Sequence, residues 1–367
     1  MITNLTDKQK INGVRILAIA STLVMMIYTP KLWITTKDFP VIPLFNWLPI
    51  PKYPLDYILA ITFFISLLTY LFKPKRWLGI LLVILYLFLA LVDQNRLQPY
   101  FYQAFLSIFI ISFFEDKTTP KKVVYLLMLI FIATYFWSGV HKANGLFYAE
   151  WMHAIQKHFS FIPKILLQVF TYAVPWLEAV MGVLILFNKT RKFGVAFIIT
   201  MHLFIISLLL ILGYGFNVIP WNAQNILSVI ILFWSFKSTS ITEIFTNYFN
   251  YKKALVLFIT FALPFSNFFG YWDHLLSYSF FSSKLHYYYI EINDKLEDKL
   301  PKNIQKYYRY NNNKPRLYLN EWAGDVNRVL FYPEDRIAYY MEEYLCSFAE
   351  NPNKKGLTKL VVYNKKN

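Results

Sequence analysis

Nine long apolar runs, separated by short polar segments, dominate the first three quarters of the chain. A helix needs about 20 mainly apolar residues to cross the hydrocarbon core of a bilayer. These runs approach that length and carry few charges, and only the fourth is distinctly short. They lie at residues 12–29, 54–72, 77–93, 100–115, 122–142, 169–187, 193–212, 220–236 and 253–271. The pattern predicts an all-α polytopic membrane bundle with about nine transmembrane helices.

Residues 143–168, between the fifth and sixth runs, have a different pattern. Phe147, Trp151, Ile155 and Phe159 recur near helical spacing, with polar residues between them. A helix with one apolar and one polar face lies flat at a membrane surface. We therefore expect an interfacial helix here.

The chain changes character after residue 272. Alternating apolar and polar residues predict strands at 285–292, 316–322 and 357–363. Acidic residues followed by an apolar stripe predict a helix over 333–348. We expect two domains, a transmembrane bundle over 1–272 and a small α/β cap over 273–367.

Composition and charge agree with a membrane protein. The chain is 57% hydrophobic, 20% aromatic and only 16% charged, with a net charge of +16, whereas soluble domains are about a quarter charged. The bases cluster between the apolar runs, which favours membrane lipids rather than nucleic acid as the partner. The single cysteine, Cys346, excludes an internal disulfide and a CxxC redox pair.

The basic residues also predict the orientation in the membrane. If the N-terminus lies in the cytoplasm, the inside segments hold fourteen lysines and arginines and the longer outside segments hold seven. Cytoplasmic loops carry the excess of bases. The expected location is the cytoplasmic (inner) membrane, with the C-terminal cap outside. There the cap could bind an envelope protein partner.

Three ionisable residues lie in or at the end of the apolar runs, namely Lys142, Glu178 and His202. Such residues are costly in a membrane and mark candidate sites. Lys142 is a candidate general base, or a lysine that extends to the interface. Glu178 and His202 lie about ten residues on either side of the turn at 188–192, so we expect them at similar depth as a pair. That pair would be catalytic or would fix helix packing.

Further polar residues lie on the same predicted outer face, and we take them as substrate-binding candidates. They are His141, Arg96, Gln98, Trp221 and Asn222. A metal site could be built from His141, Glu178, His202 and His274, but neither an HxxxH nor an HxxE spacing supports it, so we predict none.

The residues around Lys142 also resemble a known family. Residues 135–147, YFWSGVHKANGLF, resemble the horizontally transferred transmembrane domain shared with vitamin K-dependent γ-glutamyl carboxylases. The likeness continues through Pro175–Glu178 and through His202 to the turn before Asn222. It implies a quinone or hydroquinone cofactor, with Lys142 as the base that deprotonates it. Gln98 stands near the position of a family histidine, and the family's large substrate-binding lumenal domain has no counterpart, so the resemblance implies a quinone-sized cavity rather than carboxylation.

A second resemblance is to small quinone-linked membrane proteins of the DoxX and MauE type. Three functions stay open from the sequence. The first is an enzyme, carboxylase-like or a quinone-linked oxidoreductase, with an outward-facing polar cavity for a quinone or lipid-like substrate. The second is a non-catalytic membrane component that binds lipid or an envelope protein. The third is a transporter, although no inverted repeat supports it.

Overall fold

The fold is taken from a computed structural model that describes residues 5–114, 119–213, 215–234, 245, 250–312, 314–351 and 356–363. About 69% of it is helical. Two of the lysines that predicted the orientation, Lys117 and Lys237, lie outside the described residues.

Eleven helices form the apolar part of the described chain. They are α1 Asp7–Tyr28, α2 Leu55–Phe72, α3 Arg76–Val92, α4 Pro99–Phe113, α5 Pro120–Lys142, α6 Gly145–His158, α7 Lys164–Leu184, α8 Arg191–Leu212, α9 Ile219–Val229, α10 Tyr251–Leu257 and α11 Leu263–Ser266. A π-helical turn, Ile230–Trp234, extends α9, and another, Phe258–Ala262, joins α10 to α11.

These helices coincide with the predicted apolar runs. Within the described residues, seven helical segments are long and apolar enough to cross a membrane, and two shorter apolar helices are α3 and α4. The ninth run is the α10–α11 segment. The prediction of a multi-pass helical membrane protein is therefore confirmed. The interfacial segment is also helical, as α6.

Local sequence explains where α5 and α6 begin and end. Pro120 occupies the first position of α5, where a missing N–H costs nothing. Asn144 caps α6, because its side-chain oxygen accepts a hydrogen bond from the Phe147 N–H. The Asn144 amide group also donates to the carbonyls of His141 and Ser282. The chain therefore turns sharply directly after Lys142.

Contacts divide the chain into two compact units. The first unit comprises Met1–Met25, Ser66–Ile84 and Pro99–Leu285. Helix α5 forms its centre, with 83% of its apolar stretch buried. Gly139 of α5 lies directly against the α7 backbone at Pro175 and Ala179, and Gly182 of α7 lies against α5. Glycine permits this spacing because it has no Cβ.

The second unit comprises Met26–Ile65, Leu85–Gln98 and His286–Asn367. Its sheet is antiparallel, with strand order β2-β3-β1-β4. The strands are β1 Tyr287–Ile292, β2 Tyr308–Asn311, β3 Lys314–Tyr318 and β4 Thr358–Tyr363. The helices are α12 Asp294–Glu297, α13 Lys302–Gln305, α14 Leu319–Asn327 and α15 Asp335–Cys346. This confirms a small C-terminal α/β element, while the predicted boundary between residues 272 and 273 stays a prediction.

One predicted strand is partly wrong. The segment 316–322 is extended only to Tyr318, and Leu319 begins α14. The apolar residues Leu319, Trp322, Ala323 and Val326 are buried and follow helical spacing. The helical spacing of these buried residues therefore determines the structure here, and the short alternating pattern does not form a strand. The sequence prediction also missed β2.

Candidate functional site

A buried ion pair joins the end of α5 to α7. The Lys142 Nζ lies 2.5 Å from Glu178 Oε2, and the two side chains are only 10% and 11% exposed. Lys142 Nζ also donates to Ser138 Oγ at 2.7 Å. A buried charge requires such a partner, because isolated ions are very costly in an apolar environment.

The Lys142 side chain points back along its own helix. Cα–Cβ bonds tilt toward a helix N-terminus, and the contact with Ser138, four residues earlier, follows this direction. Helix α7 begins fourteen residues before Glu178, about 21 Å along its axis. Tyr148 and Met152 of α6 contact that early part of α7. Lys142 is thus a buried lysine whose ammonium group is paired within the protein.

His202 of α8 lies at the centre of a second polar contact set. Its Nε2 is 2.8 Å from Tyr135 Oη, and its Nδ1 is 2.6 Å from Asn222 Oδ1. The Asn222 amide group donates to the Val218 carbonyl, so Oδ1 accepts from the histidine. The tautomer that satisfies both contacts therefore has its hydrogen on Nδ1 and accepts the Tyr135 hydroxyl hydrogen at Nε2.

Trp221 begins a parallel chain of hydrogen bonds. Its Nε1 donates to Gln103 Oε1 at 2.5 Å, and Gln103 Nε2 donates to Thr134 Oγ1 at 3.0 Å. Thr134 precedes Tyr135 on α5. The adjacent residues Trp221 and Asn222 at the start of α9 are thus connected to adjacent residues of α5.

The two contact sets lie close together, although the predicted Glu178–His202 pair does not form. Within the described chain, no hydrogen bond joins these two side chains, because Glu178 pairs with Lys142 and His202 with Tyr135 and Asn222. His202 nevertheless lies within electrostatic range of both Glu178 and Lys142. Equal depth in the membrane was therefore a poor guide to the partner, because depth does not determine which way a side chain points around its helix.

His141 faces a different side of α5. Its ring stacks on Phe268, with centroids 4.6 Å apart, and lies 5.7 Å from Trp137. It is fully buried, and its nitrogens make no hydrogen bond of normal geometry among the described residues. Lys284 also lies over the Phe268 ring, and burial lowers the pKa of Lys284. His141 thus does not contact the ion pair next to it.

Arg96 and Gln98 belong to the second compact unit. The Arg96 guanidinium donates to the carbonyls of Leu32 and Leu89, and Gln98 Nε2 donates to those of Asn95 and Leu330. These contacts hold backbone segments together. Their assignment as substrate-binding residues stays a prediction.

Asp93, next to this segment, is also buried. Burial raises the pKa of the Asp93 carboxyl group, against the lowering effect of Arg96. Burial likewise lowers the pKa of the Arg96 guanidinium, against the raising effect of Asp93. Asp93 and Arg96 therefore attract each other electrostatically, while the Arg96 guanidinium donates its hydrogen bonds to carbonyls.

Two residues of the site were not predicted from the sequence, Tyr135 and Ser138. Together with Lys142 they recur at intervals of three and four residues, which places all three on one face of α5. This spacing is the sequence feature from which Tyr135 and Ser138 could have been predicted. Among the described residues, no group of three or more His, Cys, Asp or Glu side chains could hold a metal ion.

The arrangement offers donors and a polar chain inside an apolar bundle. An ammonium group has three N–H donors. Lys142 uses two of them, and among the described residues the third has no acceptor. Beside it, Tyr135, His202 and Asn222 form a chain of hydrogen bonds. Such a chain can hold or move a proton next to a charged pair.

Comparisons with known proteins add one result. Residues 120–220 match the family model described as Methylamine utilisation protein MauE. The match covers less than half of the chain and includes Lys142, Glu178 and His202. No curated protein and no solved structure matches the chain. These results support the resemblance to MauE-type membrane proteins and do not support the resemblance to the carboxylases.

Proposed function

We propose that the buried Lys142–Glu178 pair and the Tyr135–His202–Asn222 chain form one binding site for a quinone or a similar lipid-like substrate. The observation that carries the proposal is the pair itself, with Nζ and Oε2 2.5 Å apart inside an apolar helical bundle. Ionisable residues within membrane segments are uncommon and usually serve a site or a pathway.

The contacts suggest a role for each group. The third Lys142 N–H would donate to a quinone carbonyl oxygen. Glu178 would keep the ammonium oriented, because it accepts one of the other hydrogens. The His202 chain would receive a proton from the hydroxyl of a bound hydroquinone, because Tyr135 Oη can take that proton while its own hydrogen passes to His202 Nε2. The role of Lys142 as a general base stays a prediction, because in this structure its Nζ is held by Glu178 Oε2 and Ser138 Oγ.

Quinone retention after purification tests this proposal. The protein is purified from membranes in mild detergent, and bound quinone is extracted and quantified per mole of protein. We expect Lys142→Ala to lose the quinone and Lys142→Arg to retain only part of it, because a guanidinium does not fit the same geometry. Lys164→Ala is the matched control, since Lys164 is exposed at the start of α7. Equal quinone content in both Lys142 variants and the control would remove the lysine from the site.

A second function is a non-catalytic membrane component with an envelope partner. The sheet of the second unit supports it, because one face carries a cluster of tyrosines. Tyr289 lies 5.3 Å from Tyr318 and 5.5 Å from Tyr363, measured between ring centroids, and Arg316 lies over the Tyr289 ring. Tyrosine and arginine are enriched at protein interfaces. In this case the ion pair would only lock α5 to α7.

Exchange of the two charges separates these functions. In the Lys142→Glu/Glu178→Lys protein the attraction remains, but the ammonium projects from α7 instead of α5. If the pair only locks the helices, the exchanged protein regains both its stability and its binding of the envelope partner relative to the single variants. If the pair holds a substrate, the exchanged protein regains stability but not quinone.

The proposed orientation has the N-terminus in the cytoplasm. It rests on the distribution of bases and on an odd number of spans. A reporter enzyme that works only outside the cytoplasmic membrane, fused after Asn367, should be active. A reporter that works only in the cytoplasm should be inactive at the same position, and the reverse result would contradict the nine-span count.

A further inference from the structure

A cavity of about 350 Å³ lies within the first compact unit, far along α5 from Lys142. Pro120 and Val123, in the first turn of α5, form part of its wall, whereas Lys142 ends the same helix. The cavity is therefore about 30 Å from the candidate site along the helix axis. Its polar wall is formed by Lys8, Asn12, Arg15, Tyr70, Arg76 and Ser112.

The described part of this wall carries positive charge. Three of its side chains are basic, Lys8, Arg15 and Arg76, and none of the described residues that line it is acidic. Lys8 is exposed and makes no ion pair or hydrogen bond with the described residues. Its ammonium group is thus available to an anion that enters the cavity.

Neutral partners hold the two arginines in position. Arg15 donates to the Tyr70 and Leu71 carbonyls at the end of α2 and to the Asn12 side chain. Arg76 donates to the Ser112 and Phe113 carbonyls at the end of α4. These bonds orient the guanidinium groups without neutralising them, because no carboxylate of the described residues takes part.

Other bases increase the positive potential at this end of the unit. Arg191 and Lys121 lie within electrostatic range of the buried Lys10. The α3 and α5 helices begin at this cavity, at Arg76 and Pro120, and helix N-termini carry partial positive charge. Basic pockets between transmembrane helices on the cytoplasmic side bind anionic lipid headgroups.

We propose that this cavity binds a phosphate group that carries net negative charge. Its volume lies within the range of small-molecule sites. Two sources share this chemistry, the headgroup of an anionic phospholipid and free inorganic phosphate. Helix capping alone would explain the carbonyl contacts of the two arginines. It explains neither the open cavity nor Lys8, which has no partner among the described residues.

Binding to the full-length protein in a neutral detergent tests the proposal. The melting temperature is followed as phosphatidylglycerol, phosphatidylcholine or sodium phosphate is added, with sodium chloride to match ionic strength. We expect phosphatidylglycerol or phosphate to raise it in a saturable way and phosphatidylcholine to have little effect. If phosphate alone reproduces the effect, the ligand is a free anion, and if only phosphatidylglycerol acts, it is the lipid.

Charge-removing variants identify the site. Lys8→Gln should weaken the apparent affinity about fivefold, because a basic residue near anionic lipid contributes about that factor. Lys8→Gln/Arg76→Gln should weaken it tenfold or more. Lys157→Gln/Lys164→Gln, which changes two exposed lysines of α6 and α7, should bind as the wild type does. Unchanged affinity in Lys8→Gln, or an equal response to phosphatidylglycerol and phosphatidylcholine, would overturn the proposal.

Discussion

Replacing Gly139 by alanine tests the helix contact on which the ion pair depends. A Cβ atom at this position would lie 2.8 Å from the Ala179 Cα, and closer still to the Ala179 nitrogen and the Pro175 oxygen. Carbon atoms in contact prefer about 3.5–4.0 Å. Because these neighbours are backbone atoms, no side chain can rotate away. Helices α5 and α7 would have to separate by about 1 Å.

The expected cost follows from this displacement. Overpacking of a tight contact costs about 1–3 kcal/mol. The same separation would stretch the 2.5 Å Lys142–Glu178 contact by a similar amount, which weakens a buried ion pair further. We therefore expect Gly139→Ala to lower the free energy of unfolding by about 3 kcal/mol or more.

Unfolding in mixed micelles with increasing sodium dodecyl sulfate, followed by tryptophan fluorescence, measures this loss. Gly145→Ala is the matched control, because nothing lies within 4 Å of a Cβ added to this helical residue. The control should be neutral or up to about 1 kcal/mol more stable. A Gly139→Ala protein within about 0.5 kcal/mol of the wild type would refute the close packing of α5 on α7.

Three further predictions concern stability. Lys142→Met and Glu178→Gln should each lower the free energy of unfolding by about 3–5 kcal/mol, because each change leaves one buried charge unpaired. The double variant should lose clearly less than the sum of the two. Additive losses in a double-mutant cycle would contradict the pair. Asn222→Leu should cost about 1–3 kcal/mol because it removes the acceptor of a buried histidine N–H; unchanged detergent unfolding would refute that contact. Trp322→Ala should cost about 3–5 kcal/mol because its ring is fully buried, whereas Tyr339→Ala, at a 58% exposed position, should change stability little; similar melting temperatures for both would refute the described core.

The apolar helices could be predicted from the sequence because hydropathy is a local property. Each predicted run coincides with a helix or a helical segment of the structure, including the short fourth run at α4. The helix ends were also encoded locally, as at Asn144, which caps α6. Residue type and spacing alone specify the secondary structure at these positions.

The partners of the polar residues could not be predicted in the same way. Hydropathy gives the depth of Glu178 and His202 but neither the rotation of a helix nor its neighbour. The structure pairs α7 with α5, so Glu178 contacts Lys142, which is 36 residues away. Gly139 and Gly182 are the sequence features that permit this packing. Their role is visible only in the structure, where each lies against the backbone of the opposite helix.

The most direct test of the account is to map where a quinone binds. A photoreactive quinone analogue is crosslinked to the purified protein, and the labelled peptides are identified by mass spectrometry. We predict labelling of α5 near Lys142 and of α7 near Glu178, suppressed by excess unlabelled quinone and reduced in Lys142→Ala but not in Lys164→Ala. Labelling confined to other helices, or labelling at this site that excess quinone and Lys142→Ala leave unchanged, would contradict the proposed site.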